Sequence, residues 1–213
     1  MLRHIWSVMI RLVNRLAYRA VGLMMLVASV TSTVAATAAT TAATTDRYVI
    51  DPTHTYSIFE YSHWGLSLQQ GRFEKNSGFI DIDSEKRTGT VQLSIDAASV
   101  STGNGLFDTA LRSSSFFDVQ IYPTINFVSS ALIFDEKNNV IALEGDLTIK
   151  NITKKVKFEL TQFRCRFMPL YLKSACGANG NAKILRSDFD VGRYTPFVSD
   201  EVTLYFAVEA IKE

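Results

Sequence analysis

The sequence is poor in the residues that build metal centres and redox sites. It contains two cysteines, Cys165 and Cys176, and only two of its three histidines, His54 and His63, follow the N-terminal segment. Ten residues separate the cysteines, so they do not form a C-x-x-C redox motif, and two cysteines without a nearby histidine are poor zinc ligands. The two histidines are nine residues apart, which places them on opposite faces of a regular strand. We therefore expect no metal site.

Recognisable catalytic motifs are also missing. The chain has no G-x-S-x-G nucleophile elbow, no H-E-x-x-H helix, no P-loop and no Rossmann glycine pattern. These absences favour a binding protein over an enzyme, although an enzyme without a recognisable motif stays open as an alternative.

Acidic residues are absent from the first 45 positions. Four of the 22 basic residues and none of the 21 acidic residues precede Asp46, which leaves the rest of the chain with a net charge of −3. A weakly acidic domain without a basic block gives no support for nucleic-acid binding.

The N-terminal segment has the three-part layout of a secretory signal peptide. Residues 1–20 carry arginines and no acids, 21–30 are apolar, and small residues follow up to an A-x-A site at 36–38. We assign 1–38 to a signal peptide cleaved after Ala36 or Ala38, and 39–46 to a flexible leader rich in Ala and Thr. The apolar run is shorter than the ~20 residues of a spanning helix. We expect no stable membrane span after cleavage; a retained anchor is the alternative.

Export has a consequence for the two cysteines. An exported chain enters an oxidising compartment, in which Cys165 and Cys176 are expected to form a structural disulfide.

From residue 47 onward, apolar and polar residues alternate with the period of a β-strand. Ser57, Phe59, Tyr61 and His63 share one face of such a segment, and Val202 to Val208 alternate in the same way near the C-terminus. Turn signals separate the segments at Gly65, Gly71, 150–151 and 177–180. Each segment is typical of a strand with one face in an apolar interior.

One segment departs from this alternation. Residues 104–114 predict a short helix whose apolar stripe contains Leu106, Phe107, Ala110 and Leu111. About eight strands with one helical insertion predict an antiparallel barrel. A barrel of that size is filled by its own side chains or holds a ligand, and the many phenylalanines fit both interpretations.

Ordered sequence blocks run through residues 48–209. They include Y-V-I-D-P-T-H-T at 48–55, S-I-D-A-A-S-V-S-T-G at 94–103, G-D-L-T-I at 145–149 and R-S-D-F at 186–189. In these blocks the chain resembles the YceI-like family of lipocalin-like proteins that bind polyisoprenoids. It departs from the family pattern at Thr55, where serine is usual, and at Asn151 and Asp190, where glycine is usual.

The resemblance implies an all-β fold over 47–213, namely an extended eight-stranded antiparallel lipocalin-like barrel with a short helical insertion. It also implies a periplasmic location and a lipid-filled interior, and it does not imply catalysis. We therefore expect this chain to bind a long-chain polyisoprenoid or an isoprenoid-quinone-type lipid, with no cofactor. A plugged barrel acting as a stress-related interaction protein and an isoprenoid-modifying enzyme are the alternatives.

Candidate binding residues follow from this interpretation. The predicted tunnel residues are Phe59, Phe116, Phe117, Phe127 and Phe189. The candidate contacts for a polar head group are His54, His63, Arg112 and Arg186. For each of these polar residues, a structural hydrogen bond or ion pair is the other possibility.

Overall fold

The computed structural model describes residues 45–83, 85–137 and 139–213. The predicted signal peptide and most of the predicted leader lie outside the described residues. The strands are β1 (Asp46–Ile50), β2 (Tyr56–His63), β3 (Ser67–Phe73), β4 (Asn76–Asp83), β5 (Thr88–Asp96), β6 (Val100–Ser101), β7 (Thr124–Phe134), β8 (Val140–Ile149), β9 (Ile152–Met168), β10 (Lys173–Leu185) and β11 (Val198–Lys212). The helix α1 is Gly105–Arg112, and two short 3-10 helices span Ala97–Ser99 and Arg186–Phe189.

These segments form a closed antiparallel barrel of eight strands. Hydrogen bonding runs in the order β1, β4, β5, β7, β8, β9, β10 and β11, and β11 also pairs with β1, which closes the barrel. β2 continues the line of β1, because Ile50 pairs with Ala210 and Tyr56 pairs with Ala207 on the same strand β11. In the same way β3 continues β4, and β6 continues β5. The predicted fold class, including the helical insertion, is confirmed.

Buried polar side chains hold the wall together where its strands are interrupted. The hydroxyl of Thr55 lies 3.3 Å from both the backbone carbonyl and the backbone N–H of Glu209. The Asn76 amide donates to the carbonyls of Thr55 at 3.2 Å and Phe73 at 3.0 Å, and it accepts from the Ser57 hydroxyl at 2.7 Å. The kinks between β1 and β2 and between β3 and β4 therefore leave these buried groups satisfied.

The connections between strands sort into two ends of the barrel. The helix end holds the β2–β3 turn, the β6–β7 connection with α1, the β8–β9 turn and the β10–β11 connection. The hairpin end holds the β4–β5, β7–β8 and β9–β10 turns and the start of β1. Alternate residues of each strand point inward, as the period of two predicts, and they form the main apolar core.

Two of the predicted turn signals lie inside strands instead. Gly71 belongs to β3, and residues 177–180 belong to β10. Gly71 pairs directly with Phe59, and Gly180 pairs directly with Phe206. A methyl group on either glycine would overlap the partner's ring. The turn prediction was wrong here because glycine marks a close approach of another group as well as a turn.

The disulfide joins Cys165 of β9 to Cys176 of β10, which face each other across the strand pair. Cys176 is buried beside Tyr48, Ile82 and Ala210 in a second apolar cluster. The bond thus ties the β9–β10 pair together at the hairpin end of the barrel.

Replacing both cysteines with alanine should lower the free energy of unfolding by about 3 kcal/mol, because the short closed loop no longer restricts the unfolded chain. Urea unfolding of the oxidised protein and of the Cys165→Ala/Cys176→Ala variant measures the difference. The unaltered protein unfolded under a reducing agent is the control and should match the variant. Equal midpoints for the oxidised protein and the variant would contradict this expectation.

Candidate binding cavity

An elongated cavity of about 600 Å³ occupies the interior of the barrel. β11 lines it from Val198 to Val208, a distance of roughly 34 Å along the strand. The volume lies within the range of about 300–1,000 Å³ that is usual for small-molecule sites. A cavity that is this long for its volume fits a chain-like ligand better than a compact one.

The cavity reaches the surface at the helix end. The exposed residues of its lining all lie there: His63, Gln69, Phe107, Ala110, Arg193 and Tyr194. Phe107 and Tyr194 are each 57% exposed although they line the cavity. Lining residues at the hairpin end, such as Ile82 and Val208, are buried or half-buried. The mouth is therefore formed by the loops of the helix end.

One side of the cavity wall is entirely apolar. Every lining side chain from β5, β7, β8 and β9 is a hydrocarbon side chain, whereas the polar lining residues come from β2, β3, β11 and the connection around Arg186. A charged or strongly polar ligand placed against the apolar side would lose its hydration without gaining hydrogen bonds. The interior is therefore suited to a hydrocarbon.

Inward-facing glycines keep the lumen open beside large aromatic rings. Each of these glycines lies under one ring, and a Cβ atom at the glycine would overlap that ring. The pairs are Phe59 with Gly71, Phe127 with Gly145 and Phe206 with Gly180. The rings consequently lie against the wall. Edge contacts then join Phe158 to Phe127 at 5.3 Å and to Phe206 at 5.5 Å between ring centroids. The phenylalanine-rich interior is thus hollow.

Four of the five predicted tunnel residues line the cavity: Phe59, Phe116, Phe117 and Phe127. Phe189 does not line it. This side chain is 1% exposed and packs into the apolar core from the 3-10 helix that follows β10.

The structure separates the candidate head-group contacts. His63 lines the cavity at the mouth, and Arg186 lines it just below, whereas His54 and Arg112 lie outside the lining. His54 Nδ1 lies 2.8 Å from one carboxylate oxygen of Asp51, and the other oxygen of this carboxylate accepts the backbone N–H of Thr53 at 2.9 Å. The hydrogen bond and charge of Asp51 raise the pKa of His54. His54 therefore belongs to the turn between β1 and β2.

Arg112 fastens the helix to the barrel wall. Its guanidinium donates to the carbonyl of Ala98 at 2.8 Å and to that of Val100 at 2.6 Å. At the other end of α1, Asp108 accepts the backbone N–H of Thr102 at 2.7 Å. These bonds hold α1 over the break between β5 and β6, so that Phe107 reaches the mouth.

Arg186 organises the loop that forms the opposite side of the mouth. Arg186 is 8% exposed, and its guanidinium donates five hydrogen bonds of 2.7–3.2 Å. The acceptors are the carbonyls of Val191, Arg193, Val198 and Ser199 and the hydroxyl of Thr195. Burial lowers the pKa of this guanidinium, and the nearby carboxylate of Asp200 acts in the opposite direction.

Sequence reasoning missed the mouth residues Gln69, Arg193 and Tyr194. The alternation of β3 could have placed Gln69 inward, because it is two residues from Gly71. Arg193 and Tyr194 lie in a connection without periodicity, so no such signal exists for them. Tyr194 has a positive φ of 69°, and its ring lies 5.0 Å from the Arg193 guanidinium carbon. Turn residues elsewhere in the described chain, such as Arg87 and Lys150, share this positive φ, so the conformation by itself does not single out the mouth.

Two further features are absent from the part of the chain that the structure describes. Within 45–83, 85–137 and 139–213, no group of three or more His, Cys, Asp or Glu side chains could hold a metal ion. In that same part of the chain, no helix has the length and hydropathy needed to cross a bilayer.

A closed eight-stranded barrel around an apolar cavity with its mouth at one end defines a lipocalin-like barrel. A family model described as the YceI-like domain matches residues 48–210, and the chain belongs to this family.

Relatives from several bacteria share most of their length with this chain. A UPF0312 protein of Shewanella denitrificans is 30% identical over 169 residues, which are 78% of this chain and 87% of the relative. Protein YceI of Shigella flexneri is 29% identical over 161 residues, which are 75% and 83% of the two chains.

Solved structures share the fold. The crystal structure of Burkholderia cenocepacia BcnA has a TM-score of 0.63 and 26% identity, and the match covers 76% of this chain and 99% of BcnA. A polyisoprenoid binding domain from Saccharophagus degradans has a TM-score of 0.58 and 17% identity, with 78% and 98% coverage.

Proposed function

We propose that this chain binds a long-chain polyisoprenoid or an isoprenoid-quinone-type lipid, with the tail inside the barrel and the head group at the mouth. The observation that carries the proposal is the elongated cavity whose β5, β7, β8 and β9 side is entirely apolar. The polyisoprenoid binding domain from Saccharophagus degradans, which has the same fold, supports this class of ligand.

The free energy of binding would come mainly from the tail. Transfer of one five-carbon unit out of water is worth roughly 3–4 kcal/mol, at ~0.8 kcal/mol per carbon group. Lost translational freedom and ordering offset part of this gain. Several units in the cavity would still give strong binding without polar contacts, so tail length should control affinity more than head-group chemistry does.

The head group would meet the polar atoms of the mouth. His63, Gln69 and Arg193 offer exposed hydrogen-bonding groups beside the apolar rings of Phe107 and Tyr194. Arg186 is different, because its donors are occupied by backbone and hydroxyl acceptors. Its role is to position the loop that carries Arg193 and Tyr194.

The proposed compartment is the periplasm. The signal-peptide layout of 1–38 and the disulfide between Cys165 and Cys176 support this location, since disulfides persist in oxidising compartments.

Native mass spectrometry of the protein purified from its source tests the proposal. We expect a stoichiometric adduct that is released on denaturation and identified as a long-chain isoprenoid lipid. A ligand-free mass, together with no uptake of added polyprenyl or quinone lipids, would contradict the proposal and favour a protein-interaction role.

A further inference from the structure

The β9–β10 hairpin extends past the rest of the barrel at the hairpin end. Pairing of β9 with β8 ends at Glu159, and beyond it Leu160 and residues 162–168 pair with β10 alone among the described strands. On the other side, the last pair between β10 and β11 joins Ala175 to Ile211. Because β11 itself runs to Lys212, which is level with Ser174, residues 168–173 project beyond both neighbouring strands, by roughly 10 Å.

The tip of this hairpin is apolar and exposed. Its four large apolar side chains are Phe167 at 58% exposure, Leu170 at 81%, Tyr171 at 40% and Leu172 at 78%. Single exposed apolar residues are ordinary on a protein surface, but a cluster of this kind marks an interaction site. The tip lies at the end of the barrel opposite the mouth, so its exposure is not explained by ligand entry.

Basic residues surround the apolar tip. Arg164 and Arg166 precede it on β9, Lys173 follows it on β10, and all three are exposed. The sequence has no acidic residue between Glu159 and Asp188, whereas the chain from Asp46 onward is acidic overall. The hairpin is thus a positively charged projection on a negatively charged domain, and its charge complements an anionic surface.

The disulfide stiffens the base of this projection. Cys176 lies one residue beyond Ala175, inside the barrel wall, and pairs with Cys165 directly before Arg166. The strands on either side of the tip pair with each other, so their backbone groups have partners within the hairpin. A tip with these properties can enter a lipid interface with little ordering cost and few unsatisfied backbone groups.

We propose that the β9–β10 hairpin docks the protein on an anionic phospholipid bilayer. The side chains of 167–172 would enter the interface, while Arg164, Arg166 and Lys173 would contact lipid phosphates. The inference does not depend on what the cavity holds. Docking at the hairpin end directs the cavity mouth away from that bilayer, towards the aqueous space.

Vesicle flotation of the full chain as expressed and exported, with its N-terminus read by mass spectrometry, tests this proposal. The vesicles contain phosphatidylethanolamine with phosphatidylglycerol, and vesicles of phosphatidylcholine alone serve as the neutral comparison. The Leu170→Ser/Leu172→Ser variant should bind the anionic vesicles about tenfold less tightly or worse. In the Arg164→Gln/Arg166→Gln variant, the loss of each arginine should weaken binding to the anionic vesicles about fivefold.

The matched control carries the same change at the opposite end. Leu66 and Leu106 are 84% and 81% exposed and lie at the helix end, so Leu66→Ser/Leu106→Ser removes equal apolar surface and should leave vesicle binding unchanged. Equal weakening by the two double variants would overturn the proposal, and so would equal binding of the unaltered protein to anionic and neutral vesicles. A tip variant that instead converts a dimer to a monomer, with no vesicle binding by either, would show a self-association surface and also overturn it.

Discussion

Replacing Arg186 with methionine should lower the free energy of unfolding by about 3–5 kcal/mol, which corresponds to a fall of roughly 10 °C in the unfolding temperature. The methionine would leave four backbone carbonyls and the Thr195 hydroxyl without their donor. Each unsatisfied buried group costs about 1–3 kcal/mol, and partial access of water to the loop limits the total. Calorimetry or urea unfolding measures the change.

Arg112 provides the matched control for this substitution. It also donates to backbone carbonyls, but only to those of Ala98 and Val100, and it is more exposed. Arg112→Met should therefore cost about 1–2 kcal/mol. An equal loss of stability in the two variants would show that the five bonds of Arg186 do not act as a frame for the mouth loop.

Replacing Phe127 with glutamate should abolish binding of the proposed lipid, with a loss of affinity of about a hundredfold or more. Phe127 is 4% exposed, lines the apolar side of the cavity and lies over Gly145. None of the residues that β5, β7, β8 and β9 contribute to the cavity lining is cationic, so a carboxylate at this position would have no partner among them. The carboxylate would stay hydrated, and its bound water would block the entry of a hydrocarbon tail. Lipid retained after purification, quantified by native mass spectrometry, is the measurement.

The neighbouring residue supplies the control. Val128 points outward and is 46% exposed, so Val128→Glu adds the same charge to the same strand and should retain the lipid. If Phe127→Glu does not fold, Ala178→Trp tests the same expectation, because it fills the lumen with an apolar ring. Full lipid content in a folded Phe127→Glu protein would show that the lipid does not bind in this cavity.

The sequence predicted the barrel because each strand alternates strictly enough to mark an inner face. In β2, the residues Ser57, Phe59, Tyr61 and His63 all line the cavity, as their shared face required. The closure of the barrel was less visible, because β11 pairs with both β1 and β2 across a kink held by Thr55 and Asn76. Such buried polar bonds leave no period in the sequence.

Several polar residues in the sequence blocks that resemble the YceI-like family stabilise the turns and connections of the barrel. Asp51 and His54 form a turn, Arg112 fastens the helix, and Arg186 holds a loop. The sequence could not distinguish these roles from contact with a head group. An arginine that binds backbone carbonyls and an arginine that binds a ligand look identical in a sequence. Only the paths of the connections, which bring Arg193 and Tyr194 to the mouth, resolve the difference.

The glycines that lie under the aromatic rings determine the width of the lumen. The atoms nearest to a Cβ atom added at Gly71 belong to the ring of Phe59, whereas those nearest to a Cβ atom at Gly145 or Gly180 include backbone oxygens. The width of the lumen near the mouth is thus limited by a side-chain contact, whereas the width deeper in the barrel is also limited by backbone contacts. A substitution at Gly71 would displace the Phe59 ring into the lumen and so leave room only for a shorter or thinner molecule, with every strand left in register.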